Sequence, residues 1–250
     1  AGILLLLVLV PFFDSQGQTS PTSDFRPLTQ EMLNNPNPDD WLMWRGGYEN
    51  WGYSPLDQIT RDNVDRLSLA WSWAFAPAAT GSNGMQVEPT VYDGIMYLRH
   101  SNEKYSAHDA ATGDQIWEYS RPITGEVIQG DTRLTIHRGR GVFIYEDKLI
   151  SHATDGMLFA LHPATGQLLW ESAMVDYRSG QQPSGAPVAY GGVVVVPYNC
   201  TAWTAADPCH LSAYSTENGE LLWRWFTSPT PDDPMHRTWG DDPQVYPLEQ

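Results

Sequence analysis

The chain is short of cysteine, of basic side chains and of long apolar runs, and each shortage excludes something. Two cysteines among 250 residues, Cys200 and Cys209, cannot build a disulfide scaffold. They read as a loop disulfide in an oxidising compartment or as two free thiols. Lys and Arg number 14 against 30 Asp and Glu, a formal net charge of −16. That balance argues against nucleic acid or an anionic membrane as partner and leaves room for a basic protein, such as a soluble electron carrier. The run Ala1 to Phe13 is uncharged but too short to span a bilayer. It fits the apolar core of a secretory signal with Ser15 and Gly17 as the small residues of a cleavage site, so residues 1–17 are expected to be a signal remnant and the mature chain periplasmic or secreted. The seven histidines never fall at H-x-x-x-H spacing and no C-x-x-C-H haem site occurs, so each reads as a turn or surface residue. Asp232-Asp233 and Asp241-Asp242 lack calcium-loop spacing and read as solvated acidic loops.

What the chain has in quantity is repetition. Ala107 to Trp117, Ala160 to Trp170 and Ala213 to Trp223 share the pattern A-x-x-x-x-T/N-G-x-x-x-W, and successive tryptophans stand 53 residues apart both times. Self-similarity at such a period marks a stacked-repeat or propeller architecture. Locally, an alternating run ends at the Ala, a polar stretch closes on Thr-Gly or Asn-Gly, and a new apolar run carries the Trp, which makes each unit a hairpin. Trp117, Trp170 and Trp223 are expected to cover the seams between units, their indole N–H groups bonded to backbone.

Along the chain, residues 18–60 read as an extension packing on something larger. It holds one helix capped by Thr29 and an aromatic stretch, Trp41, Trp44, Trp51 and Tyr53. Residues 61–250 begin with a short helix or turn over Asn63 to Leu69 and a strand from Ala70 to Phe75. Strand–turn–strand segments follow at Val91–Leu98, Val142–Ile150 and Val188–Val196, one ahead of each Ala–Trp unit. Each repeat thus holds about four strands, one propeller blade. Long linkers at Gly125–Gly139, Tyr177–Gly185 and Tyr198–His210 are where binding groups are expected. Three units are too few to close a ring, so the sequence reads as an incomplete, all-β fragment.

The D-W-L-M-W-R-G-G-Y-E-N-W-G-Y-S-P-L-D-Q-I-T run at Asp40, the three Ala–Trp units and R-G-V-F-I-Y-E-D-K at Arg140 resemble the N-terminal half of the pyrroloquinoline quinone (PQQ) dependent alcohol dehydrogenases. The resemblance covers roughly residues 39 to 250. It implies an eight-bladed propeller holding PQQ beside a calcium or lanthanide ion, an alcohol as substrate and a cytochrome c as electron acceptor. Residue by residue, Arg140 falls on the family's PQQ-binding Arg and Thr154 on its PQQ-bonding Thr. Ser184 and Gly185 fall on a tract leading into the next blade, and Gln86 stands where a PQQ-contacting Glu is usual, with Glu88 two residues on. Two family features are unmatched. Leu134-Thr135 replaces the adjacent cysteines, and the metal-ligand Glu has no counterpart near Ala202. The family's base Asp would lie beyond Gln250, so no catalytic residue is assigned. A non-catalytic PQQ-repeat scaffold and a sugar dehydrogenase are the competing readings.

Overall fold

The computed structural model describes residues 25–74, 87–100, 103–122, 141–176, 182–183, 185–199 and 210–227, with Pro234 and Arg237. Their strands form three antiparallel four-stranded meanders. The first runs β1 (Thr90–Tyr92), β2 (Ile95–Arg99), β3 (Lys104–Asp109) and β4 (Gln115–Ser120). The second runs β5 (Phe143–Tyr145), β6 (Lys148–His152), β7 (Met157–Leu161) and β8 (Leu168–Ala173). A two-residue strand β9 (Gln182–Pro183) then pairs with β11, inside the third meander of β10 (Val188–Tyr190), β11 (Val193–Asn199), β12 (His210–Ser215) and β13 (Leu221–Phe226). Four strands per repeat is the blade content that the repeat period requires.

The repeated motif repeats in atomic detail. Ala107, Ala160 and Ala213 are fully buried and lie directly opposite Trp117, Trp170 and Trp223 on the neighbouring strand, where only a small side chain leaves room for the indole. The register shifts immediately after each of these alanines, a bulge reproduced in all three sheets. In the turn that follows, the N–H of Gly113, Gly166 and Gly219 donates to the carbonyl of Asp109, His162 and Ser215 respectively, and the side chain of that same residue accepts from the turn backbone.

The tryptophans close the seams. Trp117 donates its indole N–H to the Pro163 carbonyl at 2.7 Å, and Trp170 donates to Thr216 O at 3.1 Å. In both cases the ring lies flat against the turn glycine of the next sheet: a Cβ built on Gly166 would come within 2.6 Å of Trp117, and one on Gly219 within 2.7 Å of Trp170. Trp71 makes the same contact, donating to Ala110 O at 3.1 Å and leaving 2.6 Å for a Cβ on Gly113. The seam lock therefore extends one unit further back than the three-fold sequence motif. Trp223 is 47% exposed, with no stacked turn glycine among the described residues.

Ion pairs accompany the indoles. Arg121 reaches Asp155 and Glu171 of the second sheet at 2.8 and 2.9 Å, and Lys148 of the second lies 3.5 Å from Glu217 of the third. Exposure follows from this stacking. In the middle sheet β5, β6 and most of β7 are buried while β8 alternates outward, and every residue of β13 is exposed.

Of the strand expected at Ala70–Phe75, Ala70–Ala74 form none among the described residues, and Phe75 lies outside them. Ala70 to Ala74 have no ladder partner among the described residues, and an extended segment without a partner is not a strand. Further back, Thr29 caps α1 (Gln30–Asn34) by accepting from Met32 N, and Val64–Arg66 forms a single 3₁₀ turn. The segment from Leu28 to Tyr48 crosses all three sheets at the turns joining their first two strands. Leu28 pairs with Glu146, Gln30 Oε1 accepts from Gly191 N at 2.9 Å, and Asp40 Oδ1 accepts from Asp93 N at 2.9 Å. Trp41 then pairs with Val91, and the Tyr48 hydroxyl donates to Ala189 O.

The seam geometry yields a contrast to measure. Gly94 and Gly166 both have positive φ, but a Cβ at Gly94 meets nothing within 4 Å. Gly94→Ala should therefore cost only the left-handed backbone penalty, ~1–2 kcal/mol. Gly166→Ala should add a clash of about 1–3 kcal/mol with Trp117. Urea unfolding of the two variants should show the second as the larger loss; equal losses would refute indole-on-glycine seams.

Candidate functional site

Within each sheet the first and third turns point to one end, so the second turn and the entry to the first strand lie at the other. The crossing segment occupies the first end. At the second end lie the β6–β7 turn with Thr154 and the chain entering β1, β5 and β10 at Glu88, Gly141 and Gly185. Two of the family-derived positions are described on this face, Thr154 and Gly185, and Glu88 and Gly141 lie there as well. Gln86, Arg140 and Ser184 themselves lie outside the described residues, as do Leu134-Thr135, Ala202, Cys200, Cys209 and the apolar run 1–13.

Thr154 sits in a clamped turn. Ala153 N donates to Met157 O at 2.8 Å, and Gly156 N donates to Ala153 O at 3.2 Å. A Cβ on Gly156 would lie 2.3 Å from the Val175 carbonyl, so the backbone there passes too close for any other residue. Asp155 is gripped by Arg121 from the neighbouring sheet. Between these anchors Thr154 is 4% exposed, and its Oγ1 has no hydrogen-bond partner among the described residues. A buried hydroxyl left unmatched costs ~1–3 kcal/mol, so the partner of this one is to be sought outside the described residues.

Gly185 meets a different need. A Cβ there would approach Pro197 Cγ to 2.6 Å, which makes this glycine a packing requirement of the third sheet. Its carbonyl, however, accepts from His152 Nε2 at 2.6 Å. Glu88, two residues past the position where the family has a charged contact, is engaged elsewhere. Its Oε1 accepts both the Trp41 indole N–H and, at 3.1 Å, the Arg45 backbone N–H.

Sequence reading treated the seven histidines as turn or surface residues; for four of them it was wrong, while His162 lies at a turn and His137 and His236 lie outside the described residues. His100, His108, His152 and His210 are all buried on strands or at their ends. His152 belongs to a chain of polar groups that crosses from the first sheet to the third. Arg99 Nη2 donates to Glu103 Oε1 at 2.9 Å, its Nη1 lies 3.3 Å from His152 Nδ1, and the Tyr105 hydroxyl sits 2.9 Å from Glu103 Oε2 and 3.1 Å from the His152 carbonyl. Arg99, Glu103 and His152 are each at most 2% exposed. Only the Arg99-x-x-x-Glu103 spacing hinted at this network, and that spacing is too common to stand out.

His100 heads a separate relay, its Nε2 2.7 Å from Ser106 Oγ, which in turn lies 2.8 Å from His108 Nε2. Burial pushes the His100 pKa down to about 4. Among the described residues no three His, Cys, Asp or Glu side chains are grouped to hold a metal ion, and no helix is long and apolar enough to cross a membrane.

A radial stack of four-stranded meanders with tryptophan-locked seams and a polar end face is a sector of a β-propeller. Residues 41–247 match the PQQ family model, the β-propeller domain of glucose, ethanol and alcohol dehydrogenases. The chain belongs to that family. It is 31% identical over 215 residues to the dehydrogenase subunit of the quinone alcohol dehydrogenase of Gluconobacter oxydans, covering 84% of this chain and 27% of the relative. A quinohemoprotein alcohol dehydrogenase of Pseudomonas putida HK5 superposes with a TM-score of 0.70 at 28% identity, covering 82% of this chain and 30% of its own. A europium-containing methanol dehydrogenase superposes with a TM-score of 0.69 at 25% identity, covering 81% and 34%. The chain thus spans about a third or less of the length of these relatives.

The His100 shift predicts an acid limb of stability. The folded state holds this histidine neutral below the ordinary pKa of 6.5, so the unfolded chain binds the extra proton. Its contribution should be complete above pH 6.5 and fade as pH falls toward 4. His100→Gln should flatten this limb in urea unfolding at pH 7 and pH 5; an unchanged difference between the two pH values would refute the assignment.

Proposed function

We propose that the full-length protein binds PQQ on the face carrying Thr154 and uses it to oxidise an alcohol. The observation that carries the reading is the buried Thr154 hydroxyl with no partner among the described residues, at the position where the family bonds its quinone. PQQ is a flat tricarboxylate quinone, and when bound it would take up the hydride of a CH–OH donor. The chain's own part is to present that hydroxyl from a turn clamped by Gly156 and Arg121, so that the donor meets an acceptor oxygen without reorganising. Arg140, which precedes Gly141 at the entrance to β5, would supply a fork for one cofactor carboxylate.

Calcium or a lanthanide is the proposed companion ion, supported by the europium named for one structural neighbour. Among the described residues no three His, Cys, Asp or Glu side chains are grouped to hold it. A cytochrome c-type acceptor is proposed in keeping with the acidic charge of −16, which suits a basic electron carrier. The periplasm or cell exterior is the proposed location, supported by the apolar run at Ala1 to Phe13. A sugar substrate remains the second reading, because the family model names glucose together with the alcohols.

Reconstitution of the full-length protein with PQQ and either calcium or a lanthanide should give dye-linked alcohol oxidation. Thr154→Val should weaken PQQ binding by about fivefold to tenfold, the worth of one hydrogen bond, with little change in melting temperature. Wild-type affinity in the valine variant, or a scaffold that binds no PQQ, would overturn the proposal.

A further inference from the structure

The clamp on Thr154 has a second half, and His152 supplies it. This side chain stands two residues before Thr154, at the end of β6, and is 1% exposed. Its Nδ1 faces the Arg99 guanidinium at 3.3 Å, and its Nε2 faces the Gly185 carbonyl at 2.6 Å. A guanidinium only donates and a carbonyl only accepts. The ring must therefore be neutral at Nδ1 and carry its proton on Nε2. No other arrangement satisfies both partners.

The partners belong to different sheets. Arg99 closes β2 of the first, His152 closes β6 of the second, and Gly185 leads into β10 of the third. Tyr105, from β3, adds a hydroxyl contact to the His152 carbonyl, and Glu103 holds Arg99 from the other side. At this end of the seams, where the tryptophan locks do not reach, one imidazole spans the three sheets.

We infer that His152 is a positioning residue for the cofactor cradle: by accepting from Arg99 and donating to the Gly185 carbonyl, it fixes the turn bearing Thr154 relative to the chain entering the third sheet. The inference rests on the PQQ reading above. Displacing Gly185 by a fraction of an ångström would move one wall of the face while leaving the sheets intact.

Two conservative variants separate the halves of the contact. In His152→Gln the amide N–H can occupy the Nε2 place and still donate to Gly185. In His152→Asn the shorter amide lies at the Nδ1 place, keeping the Arg99 contact and losing Gly185. The full-length protein, freed of cofactor, is titrated with PQQ alone and binding is read from quenching of tryptophan fluorescence, with melting temperatures recorded in parallel. Asn should weaken binding about tenfold and Gln by no more than about threefold, the difference expected of one buried hydrogen bond. Thr154→Val should cost less in the Asn background than in wild type, because the two act through one turn. Equal affinities for Asn and Gln at matched melting temperatures, or a full additive loss for the double variant, would overturn the inference while leaving the PQQ reading standing. Failure of the wild-type protein to bind PQQ would instead sink that reading, and this one with it.

Discussion

The contact on which everything else depends is an indole lying on a bare glycine. Burying most of a tryptophan ring, of order 200 Å² of apolar surface, is worth roughly 5 kcal/mol before entropic costs. That gain is available only if the opposing backbone carries no Cβ, and Gly113, Gly166 and Gly219 meet the condition at successive seams. The hydrogen bond from each ring nitrogen to a carbonyl of the same turn then fixes the direction as well as the distance. Two neighbouring sheets can meet in only one orientation when both constraints hold, and repetition of that orientation makes a curved stack. The ion pairs at Arg121 and Lys148 follow the seams that the indoles define.

The curvature in turn brings one end of every sheet onto a common face. Because every sheet enters its first strand and makes its second turn at the same end, segments from successive sheets gather there. Thr154 is presented by a turn that cannot relax, since Gly156 passes against Val175 and Asp155 is held by a neighbour's arginine. Rigidity of this kind is what a preorganised site needs, and it is achieved with groups drawn from three sheets.

Much of this was legible in the amino-acid sequence, for a physical reason. The Ala-to-Trp spacing encodes a local object, a bulged hairpin with a small residue opposite a large one, and local objects leave periodic traces. The three strand–turn–strand segments were legible on the same ground, since Asp93-Gly94 and Gly191-Gly192 supply the positive φ values that tight hairpins demand. The lock at Trp71 was not, because its sequence surroundings do not repeat the motif; only its partner, Gly113, does. Ala70–Ala74 form no strand among the described residues, because alternation describes a face and not a pairing partner. The polar chain through Arg99, Glu103, Tyr105 and His152 was invisible for a deeper reason. Its members lie up to 53 positions apart, and nothing in the spacing of buried polar residues distinguishes a paired group from an exposed one.

The seam geometry also bears on how such a chain is made. The carbonyl that receives each indole lies 39, 46 and 46 residues downstream of its tryptophan. During synthesis from the N-terminus, every sheet would therefore expose one greasy flank only until the next few dozen residues emerged, and would then be sealed in order. A nascent stack built this way leaves each new flank open for only a few dozen residues of synthesis, while the outer flank of the first sheet waits for whatever closes on it last.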